Sequence, residues 1–308
     1  MGSTRYLRRG SRHAFHLPSL WSPLVIAGAI AGAPVGTVSA QAQTPPSAPV
    51  LPDSTPRAPF PVGEILEYQV HVSFGGNIGR GQMRVEGPVQ EQGTTLWRLV
   101  SEMHARRAFV RASDRSTSWF DPVRFATRRF EKVERSPLGS GTERVEIDAE
   151  GGTWRGIDGG DNPLASPQPL DELSFLYFLR TLPLEREGSF SLTRHYDESR
   201  NPTLVTVGAE EVVETPLGSF QTRVVVMHVR DPKHYKGIGL IKVNVDLSAC
   251  RLPVRIVSRM PIVGTTTLTL VARSTSPRRI DAPVSASVDA SGEGDAAHRR
   301  PCAGSANP

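Results

Sequence analysis

The chain has 308 residues, with 28 Gly, 26 Pro and two Cys. It is too long and too poor in cysteine for a small disulfide-stapled scaffold. Its formal charge of +5 invites a nucleic-acid reading, but Arg5, Arg8, Arg9 and Arg12 supply four of those five charges before any acid occurs. The remainder is nearly neutral and generates no long-range field favouring a polyanion.

Arg5 to Arg12 form a positive region, and Leu20 to Val38 carries no charge. Small residues at Val38-Ser39-Ala40, and again at Ala40-Gln41-Ala42, offer a peptidase its cut. That layout predicts a secretory signal peptide over 1–40. Pro23, Pro34 and several glycines dilute the stretch as a membrane span, and no positive stop-transfer flank follows. The mature chain is therefore expected to be periplasmic or secreted and not integral to the membrane. Residues 41–58, rich in Pro, Ser and Ala, predict an extended linker.

From Ile65 onward the pattern has period two. Leu66, Tyr68, Val70, Val72 and Phe74 alternate with Glu67, Gln69, His71 and Ser73. This predicts a strand with one buried and one wet face. Gly75-Gly76-Asn77 is turn chemistry, and Gly79-Arg80-Gly81 suggests a bulge or a close backbone approach. Thr95–Ala105 alternates again, with Trp97, Leu99 and Met103 on one side. Arg106, Arg107, Arg111 and Arg115 read as a solvated charged face. Further strands are expected at 124–133, 144–149, 188–196, 204–213, 218–229, 239–247, 252–259 and 265–272, divided by turns such as Pro137-Leu138-Gly139 and Thr215-Pro216-Leu217-Gly218. No strand–helix–strand rhythm supports a doubly wound nucleotide fold.

One helix interrupts the strands. Pro167-Gln168-Pro169 stops anything before it, and Asp171 can cap a helix that starts there. Leu173, Leu176 and Tyr177 fall on one face, so a helix near 171–181 is expected to cover an apolar surface. The stretch 277–308, rich in Ser, Ala, Gly, Asp and Arg, predicts a disordered tail. Residues 59–276 are then one domain, mainly β: a curved antiparallel sheet, half-barrel or sandwich-like, with one packed α-helix.

Chemical motifs are sparse. The chain has no G-x-S-x-G elbow, no phosphate-binding G-x-x-x-x-G-K-S/T loop and no H-E-x-x-H. His228 with His234, and His195 with Asp197 and Glu198, are polar loop ends without a standard ligand spacing. Asp158, Asp161 and Asn162 fit a turn better than a calcium loop. His71 and His104 sit on wet strand faces. Cys250 and Cys302 permit a single pairing that sequence cannot decide. No cofactor, no metal site and no catalytic residue is expected.

Several segments in order resemble an uncharacterised exported bacterial family, domain of unknown function 3108. They are Pro61-Val62-Gly63-Glu64 with Tyr68, Phe120-Asp121-Pro122, Leu170-Asp171 through Leu179-Arg180-Thr181-Leu182-Pro183, Glu214 through Phe220, and Arg251 through Ile256. The resemblance spans about 59–273 and implies an exported, mainly β envelope protein. It brings no activity. The turn before Arg251 carries Ala249-Cys250 where the family commonly has an acid.

Three functional expectations stand side by side. The first is an envelope protein holding an apolar or lipid-like molecule in the curved sheet, against Tyr68, Phe74, Trp97, Leu173 and Tyr177. The second is an envelope protein-interaction module. The third is an enzyme on envelope polymers, which requires histidines and acids to converge in one cleft.

Overall fold

The computed structural model describes residues 58–275, except 74–75, 92, 108–109, 137–138, 158, 233–236 and 261–263. The expected leader, nearly all of the linker, the tail, Phe74, Asp158, His234 and Cys302 lie outside the described residues. Fourteen strands form one sheet. In chain order they are β1 (Glu64–Val72), β2 (Gly76–Glu91), β3 (Thr94–Arg107), β4 (Val110–Asp121), β5 (Ala126–Ser136), β6 (Gly139–Asp148), β7 (Thr153–Gly156) and β8 (Asp161–Pro163). After helix α1 (Glu172–Phe178) come β9 (Gly188–Leu192), β10 (Thr203–Thr215), β11 (Gly218–Arg230), β12 (Ile238–Asp246), β13 (Pro253–Met260) and β14 (Gly264–Thr275).

The order is β8-β7-β6-β5-β4-β3-β2-β1-β14-β13-β12-β11-β10-β9. Two meanders are joined at their middle by β1 and β14, which pair from Glu64↔Thr275 to Val72↔Thr266. A single sheet bears out the curved antiparallel expectation and sets the two-sheet sandwich aside. Its two ends are brought together by the segment between them. The Leu170 and Tyr196 amides donate to the Arg194 and Leu170 carbonyls, and the Thr127 amide donates to Pro169 O at 2.7 Å. Trp154 of β7 meets Tyr196 edge to face at 5.0 Å.

The alternating expectations hold for β1 and β3. Gly79 lies where β1 and β2 slip register, and a Cβ there would clash with the His104 carbonyl. Only glycine lets the strands approach so closely. Four elements run beyond the expected set. β2 extends through charged and glycine residues to Glu91, β4 is an additional strand, and β7 and β8 are short. Arg106 and Arg111 are paired across β3 and β4 on the exposed face, as expected of a solvated patch.

The helix lies where the sequence places it, with a 3-10 turn at Leu179–Thr181 completing it. All six residues from Leu173 to Phe178 are buried, because the sheet surrounds the helix. Each such apolar side chain removed from water contributes roughly 1.5–3 kcal/mol. Its N-cap is Asp171, whose Oδ1 accepts from the Leu173 and Ser174 amides. Asp171 Oδ2 accepts from Ser118 Oγ of β4 at 2.5 Å and Thr127 Oγ1 of β5 at 2.6 Å. At the other end Arg180 donates to Glu64 of β1 at 2.6 and 3.0 Å and to Cys250 O at 2.8 Å. Both side chains of that ion pair are 1 % exposed. The Arg180 guanidinium also lies 5.1 Å over the Phe60 ring, which meets Tyr177 at 4.8 Å. The helix thus crosses the interior from β4 and β5 to β1, pinned by charge at both ends.

Phe125 adopts φ 53°, a left-handed conformation unusual for a bulky residue. Its ring is held between Phe120 at 4.8 Å and Phe178 at 5.8 Å. That packing over-determines the strained backbone.

The buried ion pair is testable by substitution. Arg180→Ala strands Glu64 without its partner and should cost about 3–5 kcal/mol in urea unfolding, whereas Arg180→Met combined with Glu64→Leu should recover most of that loss. Cys250 is disulfide-bonded, and the chain's other cysteine is Cys302. Alkylation of the denatured, unreduced mature chain should therefore label neither.

Candidate binding site on the concave face

The pairing registers define which side chains share the inner face. One row runs Leu66, Met83, Ser101, Ser116, Lys132, Glu143 from β1 to β6. The next runs Tyr68, Gly81, Met103, Asp114, Glu134. Each passes from apolar residues on β1–β3 to charged ones on β4–β6. On the other meander the corresponding rows are Val225, Val243, Ile256, Leu268 and Met227, Ile241, Ser258, Thr266. The concave face therefore has one charged wall, with apolar walls beside it. Lys132 and Glu134 keep 13 % and 14 % of their side chains exposed, while Leu66, Leu99 and Phe130 keep none.

Lys132 Nζ lies 3.0 Å from Glu134 Oε1 and 3.7 Å from Asp114 Oδ2. Asp114 is 2 % exposed, and its Oδ2 receives no hydrogen bond. Burial pushes the Asp114 carboxyl up to about 6, with Lys132 opposing and Glu134 adding to the rise. Burial works against the charge on Lys132, but Asp114 and Glu134 outweigh it and hold the ammonium above its ordinary range.

The wall continues onto the segment that joins the sheet's ends. Tyr196 Oη donates to Glu143 Oε1 at 3.3 Å. Arg200 pairs with Glu172, the first residue of α1, and with Asp231 at 3.1 Å. Burial alone would raise the Glu172 carboxyl, but Arg200 and His195 hold it well below the usual range. His195 Nε2 stands 3.6 Å from Glu172 Oε1, while its Nδ1 accepts from the Asp197 amide at 3.0 Å.

The residues expected to hold a ligand divide. Tyr68, Leu173 and Tyr177 are buried in the core, with Tyr68 Oη donating to Pro253 O at 2.9 Å. Trp97 is half-buried against Phe60 at 6.1 Å. Among the described histidines, His71 and His104 are exposed and His228 is half-buried on β11; His195 alone approaches an acid inside the sheet. Asp161 is paired with Arg155, and Asn162 donates to Gly160 O; both lie on the short strand β8, paired with β7, and not in the turn expected of them. Among the described residues no group of three His, Cys, Asp or Glu converges on a metal position.

A second concavity, of about 730 Å³, borders β5–β7 and includes Glu91, Arg128, Arg129, Glu150, Trp154 and Arg155. Its charges answer one another. Arg128 pairs with Glu150, Arg129 with Glu91 and Glu146, and Arg155 with Asp161. Both places hold buried polar atoms without a hydrogen-bond partner, Asp114 Oδ2 at the concave wall and Arg128 Nε and Arg129 Nε at the second concavity. The concave wall is taken as the candidate because apolar rows adjoin it.

Sequence reasoning did not find Asp114, Ser116, Lys132, Glu134 or Glu143. Their strands carry polar residues inward, so period-two hydrophobicity is absent on β4. The signal present was an alternation of Asp114, Ser116 and Ser118 with charged or polar residues, which resembles a loop.

Fold and site together define a single-sheet β protein, curled around a helix, with a charged wall inside. The chain belongs to the family described as "Protein of unknown function (DUF3108)", whose model matches residues 67–271. No curated protein matches it significantly. Among solved structures it is similar to a beta-barrel-like protein of domain of unknown function DUF1849 from Brucella abortus. That match has 11% identity and TM-score 0.47, covering 70% of this chain and 99% of the other. A candidate lipoprotein from Parabacteroides distasonis matches at 12% identity and TM-score 0.26, covering 72% and 100%. A candidate exported protein with a YmcC-like fold from Bacteroides fragilis matches at 14% and 0.28, covering 72% and 100%. Among the described residues, no helix is long and apolar enough to cross a membrane.

Asp114 supplies a pH test. Its carboxyl titrates near 6 when folded and near 3.8 otherwise, so the native state holds the extra proton between those values. Stability on this account falls as pH rises from about 4 to about 6 and is level above. Asp114→Asn removes that loss. Urea unfolding should show the variant gaining on the wild type across that window, reaching on the order of 2 kcal/mol by pH 7.

Proposed function

We propose that this protein is an exported cell-envelope binding protein that holds an amphiphilic, lipid-like molecule within the curved sheet. The carrying observation is the division of the concave face into apolar walls and one charged wall. Such a surface matches a molecule with an apolar body and a polar head. The apolar body would lie against Met227, Ile241 and Val70, above a floor to which Tyr68, Trp97, Leu173 and Tyr177 contribute. Export is inferred from the leader read in residues 1–40, with cleavage after Ala40 or Ala42, and places the mature chain in the periplasm or outside the cell. No cofactor enters this reading.

The interaction-module alternative gains little support. The exposed large apolar residues Val123, Ile157, Leu204, Val212 and Ile238 are distributed over two turns and two strands. Scattered singly, such residues do not make a docking patch. The enzyme alternative needs more than His195 beside Glu172.

Native mass spectrometry of the mature chain purified from a bacterial periplasm tests the proposal. A lipid-sized mass that leaves on activation is the expected result. Met227→Trp fills the apolar wall and should lower the occupied fraction at least about tenfold while the circular dichroism stays unchanged. A wild-type chain that is empty as isolated, and takes up no C12–C16 amphiphile added to it, would overturn the reading.

A further inference from the structure

Near-neutrality of the whole domain conceals a separation of charge between the two rims of the sheet. The strand order is an unbroken antiparallel run, so successive hairpins turn at alternate rims. One rim carries the connections β1–β2, β3–β4, β5–β6, β11–β12 and β13–β14. In the strand ends beside them Arg80, Arg106, Arg111, Arg135, Arg230 and Arg259 are all exposed. The first four lie on the outer face, because Gly81, Met103, Asp114 and Glu134 take the inner positions of the same strands. Arg230 and Arg259 follow Val229 and Ser258, which continue the inner rows of β11 and β13. None of the six makes an ion pair among the described residues. The acids nearby are engaged. Asp114 and Glu134 face inward about Lys132, and Asp231 holds Arg200. Among the described residues Glu198, in the turn before β10, is the exposed acid at this level.

The opposite rim is built differently. There Arg124 pairs with Glu150, Arg129 with Glu91, Arg223 with Glu210 and Arg251 with Glu185. Solvation accounts for an exposed arginine, but not for this sorting by rim. Arg106 and Arg111 stand directly opposite each other on β3 and β4, and like charges in that position weaken a sheet. Arg80, His104 and Arg135 share the next row, where Ser113 and no acid separates them. Neighbouring strands are about 4.8 Å apart, so the cations from β5 round to β11 are spread over roughly 40 Å of rim. An array that broad suits an extended surface of many anions, not one anion in a pocket. Ile238, 50 % exposed, stands opposite Arg230 in register. Basic residues beside an exposed aliphatic one suit the boundary between lipid headgroups and acyl chains.

We propose that this rim docks the protein onto an anionic lipid bilayer, with Arg80, Arg106, Arg111 and Arg135 on one flank and Arg230 and Arg259 on the other. The choice of a bilayer over other polyanions rests on the reading of an exported, lipid-binding protein, and the rim is then the edge at which an amphiphile passes between membrane and sheet. Each arginine near such a surface contributes about fivefold in binding.

The test is co-sedimentation of the mature chain with vesicles of phosphatidylcholine alone, or of phosphatidylcholine with phosphatidylglycerol at about three to one. At about 0.1 M salt the anionic vesicles should bind at least about tenfold more tightly, and about 1 M salt should abolish the difference. Arg106→Glu with Arg111→Glu should lower binding to anionic vesicles at least about tenfold. Arg124→Glu with Arg155→Glu changes the net charge equally, away from this rim, and should leave binding within about twofold. Circular dichroism establishes that both double variants fold. Equal losses in the two double variants would reduce the effect to net charge and overturn the rim. Equal binding to neutral and anionic vesicles by the wild type would overturn it as well. Binding of poly-glutamate without binding of anionic vesicles would make an acidic chain the partner and overturn the bilayer. Docking by a chain that native mass spectrometry finds empty, with or without added amphiphile, would support the rim while defeating the interior reading.

Discussion

Everything in this structure depends on placing a helix inside a sheet without leaving its ends unpaired. A helix has four free amides and four free carbonyls at its termini, and inside a sheet no water meets them. The solution here is charge at both ends. Asp171 takes two amides while Ser118 and Thr127 hold the carboxylate in place. Arg180 reaches Glu64 and the Cys250 carbonyl at the opposite end. Neither charge would be tolerated alone, since an unpaired buried ion costs several kcal/mol. Together they fix the helix along one direction, from β4 and β5 to β1, and so fix how the sheet curls around it.

The family segments acquire physical meaning from the same constraint. Glu64 is the acid of the buried ion pair, and Tyr68 ties β1 to Pro253 across the sheet. Asp121 accepts from the Val123 and Arg124 amides and forms the turn that carries Phe125 inward. Asp171 and Arg180 are the two ends of the helix. These residues build the frame, and the groups proposed to contact an interior ligand sit elsewhere. A family recognised through such segments is recognised by its scaffold, which explains why the resemblance conveyed fold and export but no chemistry.

What could be read in the sequence divides along the same line. The strands whose inner face is apolar announced themselves by alternation: Leu66, Tyr68 and Val70 on β1, or Leu99 and Met103 on β3. The helix was legible because Asp171 comes after a proline pair and precedes an apolar run. β4 was not, since its inner positions are Asp114, Ser116 and Ser118, and a polar inner face cancels the period-two signal. The meeting of the sheet's ends was equally hidden. Trp154 and Tyr196 are 42 positions apart, and nothing local to either predicts the contact. The site was missed for the reason it is a candidate: its strands depart from the pattern that marks a core.

That departure constrains the reading of the interior. A curved sheet around a helix could be completed with valine and leucine on every inward position, and it would be more stable for it. On β11–β13 that is nearly what happens, with Val225, Val243 and Ile256 in one row. On β4–β6 the corresponding positions hold Asp114, Lys132 and Glu134, and burial of Asp114 carries a cost that Lys132 only partly offsets. The helix's own charges show how this fold treats buried polarity it needs for structure: every carboxylate oxygen of Asp171 and Glu64 finds a donor. Asp114 is left with an oxygen that finds none. Arg180 Nε and Glu172 Oε2, both of the helix, are orphaned as well, so it is the density of charge on β4–β6, and not one unmet oxygen, that sets this wall apart from the apolar rows of β11–β13.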